Sequence, residues 1–167
     1  MIFQERTYSV LIVTATDSFT EKIMPLLPVT DYWPVTVVRS IGEARRKISE
    51  TAFDIVLINA PLPDDFGMRL AVDICTGSGA GVLLLVRNDQ FDDIYARVVS
   101  YGVLTLSKPT SMQMVAQNLR ILCATRERMR QMEAKQATVA HHYIEKQSMD
   151  RRISKREVAE TVIKTYQ

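Results

Sequence analysis

The sequence predicts an α/β fold: a five-stranded parallel, doubly wound sheet over residues 1–109, then a long helix and a small all-α C-terminal segment. Three observations lead there. Short aliphatic runs alternate with helix-length segments through the first 109 residues, the runs are apolar on both faces, and strand signals stop at Thr110. A strand that is apolar on both faces belongs in a parallel sheet covered by helices on either side. Because each strand-helix-strand crossover is right-handed, double winding is the simplest topology.

The strands are expected at Ser9–Thr14, Pro34–Val38, Asp54–Ile58, Gly81–Val86 and Val103–Leu106, each too short for a buried helix and rich in Val and Ile or Leu. Helices are expected between them at Asp17–Leu27, Ile41–Glu50, Asp65–Cys75 and Asp92–Ser100. Ser40 and Glu43 have the spacing of a capping box, in which a hydroxyl and a carboxylate satisfy open amides at a helix start. From Thr110 onward there is no Gly, and Ala, Gln, Met, Arg and Glu dominate. Val115, Leu119 and Leu122 recur at four and three, predicting a fifth helix that closes the domain and runs to about residue 125. Met129, Met132, Gln136, Val139 and Tyr143 continue at three, four, three and four, the pattern of a coiled-coil seam. Dimerisation is expected through Met129, Met132, Gln136 and Val139; the alternative is an amphipathic helix packed on its own domain. A break is expected at Ser148, Met149 and Asp150. Ser154 with Glu157 then forms a second capping box, opening a helix from Lys155 to Thr165.

Composition narrows the function classes. With 47% hydrophobic and 24% charged residues, the chain falls outside disordered and collagen-like sequences. The longest apolar runs, Val10–Val13 and Val82–Val86, are far below the roughly 18–20 residues of a membrane helix. Glu5 and Arg6 near the start, with no long apolar stretch after them, argue against a signal peptide, so a cytoplasmic protein without membrane contact is expected. Cys75 and Cys123 lie far apart without metal-ligand spacing and read as buried thiols. The only histidines, His141 and His142, sit in the tail, so no catalytic triad, metal site or cofactor is expected, and no enzyme. The charge is unevenly divided. Residues 1–109 hold ten basic and thirteen acidic residues, whereas residues 110–167 hold eleven and six. That asymmetry suits either a polyanion-binding appendage or a solvated basic helix.

Functional groups in a doubly wound sheet gather at the carboxyl ends of its strands, here Thr14, Ala15, Asn59, Val86 and Lys108. The segment from Asp54 to Pro63, with Gly67 after it, resembles the third strand of a two-component response-regulator receiver domain and the loop after its phospho-accepting aspartate. Leu106 to Pro109 resembles the close of that family's fifth strand, where a phosphate-contacting lysine precedes a cis proline. The resemblance covers residues 8–109 and implies a flavodoxin-like receiver. Its departures are chemical. The acceptor position holds Asn59, the acidic pair is replaced by Thr14 and Ala15, the hydroxyl position is Val86, and the aromatic switch position near Thr105 is vacant. Phosphoryl transfer of this kind needs a carboxylate acceptor and further carboxylates to hold Mg²⁺. An amide oxygen is a poor nucleophile, and neutral side chains do not balance a dication. A degenerate receiver is therefore expected, neither phosphorylated nor metal-bound, with Lys108 pairing with Asp17, Asp64, Asp65 or a backbone carbonyl. A small anion bound in place of phosphate is the alternative.

Residues His141 to Lys164 resemble the latter part of an ANTAR module, the three-helix RNA-binding domain of antitermination regulators, and the order of receiver, coiled coil and helices is similar too. The implied organisation is a degenerate receiver at 1–109, a helical linker at 110–139 and ANTAR-like helices at 140–167. The module's first helix has no counterpart between Lys135 and Ala140, so the module is incomplete. The resemblance implies a homodimer that binds leader-RNA stem-loops. Lys146, Arg151, Arg152, Lys155 and Arg156 are the expected phosphate contacts, and Tyr143 with His141 and His142 the expected stacking partners of an unpaired base; the alternative is that Tyr143 and Ile144 pack between helices while the charges are solvated. Two other readings stand beside it. One is an adaptor that pairs with a regulatory protein partner and touches no nucleic acid. The other is a DNA-binding regulator, because Arg152 to Ala159 resembles the opening of a helix-turn-helix, a motif that requires a second helix.

Overall fold

In the computed structural model, which describes residues 6–151 and 155–165, five strands form one parallel sheet in the order β2-β1-β3-β4-β5. They are β1 (Tyr8–Thr14), β2 (Tyr32–Val38), β3 (Ile55–Asn59), β4 (Gly81–Arg87) and β5 (Leu104–Lys108). The helices are α1 (Asp17–Ile23), α2 (Ile41–Glu50), α3 (Met68–Gly77), α4 (Phe91–Val98), α5 (Met112–Arg151) and α6 (Lys155–Thr165). Two apolar layers hold the sheet, because successive side chains of a strand point to opposite faces. Val56 and Ile58 of β3 pack with residues of α2, α3 and α4, whereas Ile55 and Leu57 pack with residues of α1 and α5. The doubly wound sheet expected from the apolar runs is the one observed.

Local chemistry explains where the helices begin. Ser40 Oγ accepts the Glu43 amide at 3.2 Å, and the Glu43 carboxylate accepts the Arg39 amide at 2.9 Å. The Asp64 carboxylate, from the loop after β3, accepts the amides of Ile41 and Gly42, each at 3.0 Å. Those amides hold the Asp64 carboxyl below its usual range. α3 starts at Met68 rather than at Asp65. Asp65 turns its carboxylate onto the Phe66 amide at 2.6 Å, and Gly67 takes a left-handed φ of 82°. A side chain at Gly67 would also come within 2.7 Å of Ile58 Cγ2, so the position needs glycine on both counts.

Two compact units divide the chain, Met1–Arg126 and Glu127–Gln167. In the first, Val115, Leu119 and Leu122 of α5 are buried. In the second, Met129, Met132, Val139 and Tyr143 are between 41% and 68% exposed, so this apolar stripe is uncovered among the described residues. The break expected at Ser148, Met149 and Asp150 is absent: all three are helical, and α5 continues to Arg151. None is Gly or Pro, and their helix propensities cost only a few tenths of a kcal/mol each, about what a forty-residue helix absorbs without breaking. No helix among the described residues is long and apolar enough to cross a membrane.

Candidate functional site

Register decides which strand ends meet. Thr14 stands opposite Asn59 across β1 and β3, and Arg87 stands opposite Lys108 across β4 and β5. Thr14, Asn59 and Lys108 share the parity of Ile12, Leu57 and Leu106, which pack with α1 and α5, so all three lie on one side of the sheet. Asn59 Nδ2 donates to Thr14 Oγ1 at 3.1 Å, and Lys108 Nζ donates to Asn59 Oδ1 at 2.9 Å and to the Ala60 carbonyl. Thr14 and Asn59 are buried. The Asn59 amide serves both neighbours at once, its nitrogen donating to Thr14 and its oxygen accepting from Lys108. Burial lowers the Lys108 pKa, and the Arg87 charge lowers it further.

The other strand-end residues go elsewhere. The Ala15 carbonyl accepts from Arg39 Nη1 at 3.4 Å. Val86 has the opposite parity and is fully buried in the layer with α2, α3 and α4. The Thr105 hydroxyl is buried without a hydrogen-bond partner. Of the partners expected for Lys108, only the backbone carbonyl is used. Asp17 pairs with Arg39, Asp64 caps α2, and Asp65 holds the Phe66 amide. The Lys108-Pro109 peptide is cis.

No family model and no curated protein matches the chain. Solved structures do. The signal receiver domain of an HD domain-containing protein from Pseudomonas fluorescens Pf-5 superposes with a TM-score of 0.66 at 21% identity, covering 78% of this chain and 96% of that one. This chain has the response-regulator receiver fold. A CheY-like receiver domain from Methanospirillum hungatei JF-1 gives a TM-score of 0.63 at 17% identity, covering 74% of this chain and 99% of that one. A structure described as adenylate cyclase from Rhodopirellula baltica gives 0.70 at 18%, covering 79% and 98%. At such identities the likeness concerns the fold.

At the carboxyl ends of the strands of that fold, an amide, a hydroxyl and one ammonium satisfy one another. Among the described residues no group of three His, Cys, Asp or Glu side chains is placed to hold a metal ion. Incubating the protein with a small-molecule phosphodonor and Mg²⁺ should leave the mass of residues 1–109 unchanged. A mass increase there would overturn the reading of strand ends without a phospho-acceptor.

At the opposite end of the receiver sheet lies a charged cluster that the sequence reading missed. Asp54, just before β3, accepts the Ser9 amide at 3.0 Å and the Ser9 hydroxyl at 3.2 Å. It also faces Arg6 at 3.3 Å and Arg126 of α5 at 3.7 Å, while Arg126 donates to the Gly79 carbonyl at 3.2 Å. One signal was available: an acid opening an otherwise apolar strand must find partners when it is buried.

In the second unit, Tyr143 and Lys146 are exposed on α5, and Arg156 is exposed on α6, paired with Glu160 at 3.1 Å. Arg151 ends α5 and Lys155 opens α6; Arg152 and Ser154 lie outside the described residues. His141 faces Glu145 at 3.1 Å.

Proposed function

We propose that this chain is a phosphorylation-independent, ANTAR-type response regulator of the cytoplasm that binds leader-RNA stem-loops and acts in transcription antitermination. Its non-enzymatic receiver takes its input from a regulatory protein or ligand, since its pocket offers phosphate no carboxylate. The observation that carries the reading is the second unit: an exposed apolar seam beside exposed cations on one uninterrupted helix. Apolar residues at three-four spacing are stabilised by pairing with a second helix, here in a homodimer. With Met129 and Met132 as seam positions, Arg128 and Glu133 flank the seam on opposite sides, five residues apart. That arrangement brings unlike charges together when two copies run parallel and in register. Two linked basic ends then hold two stem-loops, each raising the effective concentration of the other.

A gel shift over a salt series tests this. Retardation of a two-stem-loop leader RNA at lower protein concentration than scrambled RNA or duplex DNA, weakening as salt rises, is the expected result. The continuity of α5 through the region where a separate ANTAR helix would begin favours a second reading, the protein-interaction adaptor. A dimer that retards none of the three nucleic acids would establish it over the first.

A further inference from the structure

Residues of an α-helix advance about 100° each, so positions seven apart fall on one narrow stripe. Arg128, Lys135 and His142 recur at that spacing on α5, Lys146 follows one turn later, and all four are exposed. Between Arg128 and Lys146 the stripe carries no acid, and Asp150 follows one turn after Lys146. Glu127 and Glu145, the nearest on α5 between Ile121 and Met149, sit roughly 85° away around the helix. Both are engaged on that other face, Glu127 with Arg130 at 3.3 Å and Glu145 with His141 at 3.1 Å. His141 and His142 therefore have different surroundings although they are adjacent in the chain.

We infer that Lys135 and Lys146, with the His142 imidazole between them, form a rail of hydrogen-bond donors along α5 that seats the phosphodiester backbone of the bound RNA. The inference rests on the RNA-binding reading above. In parallel copies Arg128 meets a glutamate, whereas the positions five residues beyond Lys135 and His142 are Ala140 and Gln147, which carry no charge. Lys135 and His142 keep their donors open to solvent. A protein partner needs an apolar core to its interface, and between Arg128 and Lys146 the exposed large apolar side chains, Met129, Met132, Val139 and Tyr143, all belong to the seam. A polyanion needs only dispersed cations whose counterions it displaces. Such contacts position a nucleic acid without reading its bases, so the rail gives affinity, and sequence preference comes from elsewhere in the tail.

The test compares the full chain with Lys135→Gln/His142→Gln and with Arg130→Gln, which alters a paired arginine on another face. Fluorescence anisotropy is measured with the leader RNA and an unrelated RNA of equal length over a salt series. Circular dichroism and sedimentation verify that helix content and assembly state are kept. The rail variant should bind both RNAs more weakly by a similar factor, with a log-log salt slope shallower by about one. Arg130→Gln should match the unaltered chain. Unchanged affinity and slope in the rail variant, or a loss confined to one RNA, would overturn the rail while leaving RNA binding intact. Failure of the unaltered chain to bind either RNA would overturn both.

Discussion

Replacing Asp54→Ala should lower the unfolding free energy by about 3 kcal/mol, because it leaves two guanidinium groups and the Ser9 amide without their shared acceptor. The Asp54 side chain is only 12% exposed, and Arg126 and Arg6 are 19% and 33% exposed, so water replaces the lost contacts poorly. Arg126 is the last residue of the first compact unit. Asp54 thus ties the amino end of β3 to the final buried turn of α5, one turn beyond Leu122, which packs against Gly81 so closely that a side chain at Gly81 would come within 2.9 Å. Asp54→Asn keeps acceptor capacity for Ser9 but loses the charge, and should show roughly half the effect. Urea unfolding of the three proteins measures it. A loss below about 0.5 kcal/mol for Asp54→Ala would mean that solvent already shields the cluster.

RNA binding by Arg151→Ala/Arg152→Ala should fall by roughly an order of magnitude or more near physiological salt, with a salt slope shallower by about two. Arg151 is the last residue of α5 and Arg152 is the next in sequence, in the stretch where the basic excess of the tail collects. Each phosphate contact releases counterions, so two lost contacts change the salt dependence as well as the affinity. Filter binding at several salt concentrations separates this from a loss of fold, which would abolish binding without a graded slope. Binding equal to that of the unaltered chain would favour the adaptor.

Much of the fold was legible because it is written in local pattern. The Val and Leu runs of β1, β3 and β4 are apolar on both faces, which places them inside a helix-covered parallel sheet. The Ser40 and Glu43 spacing marked the start of α2 to the residue. Boundaries failed where a side chain took an unforeseen local role, as when Asp65 closed a turn and delayed α3 to Met68. The break expected near Ser148 failed for another reason. Polar residues were read as punctuation, but without Gly or Pro the helix ladder runs through them.

Residue type and spacing alone determined the doubly wound alternation of strands and helices, and put Thr14, Ala15, Asn59, Val86 and Lys108, none of them acidic, at or beside the strand ends. Tertiary structure alone decided which polar groups satisfy one another. Asn59 and Thr14 lie 45 residues apart, and Lys108 and Asn59 lie 49 apart. Their contacts exist only because parallel register and strand parity turn all three to the same face, while Val86 turns to the other. Hydrogen bonds act over about 3 Å, so no sequence separation encodes them until the sheet has set the register.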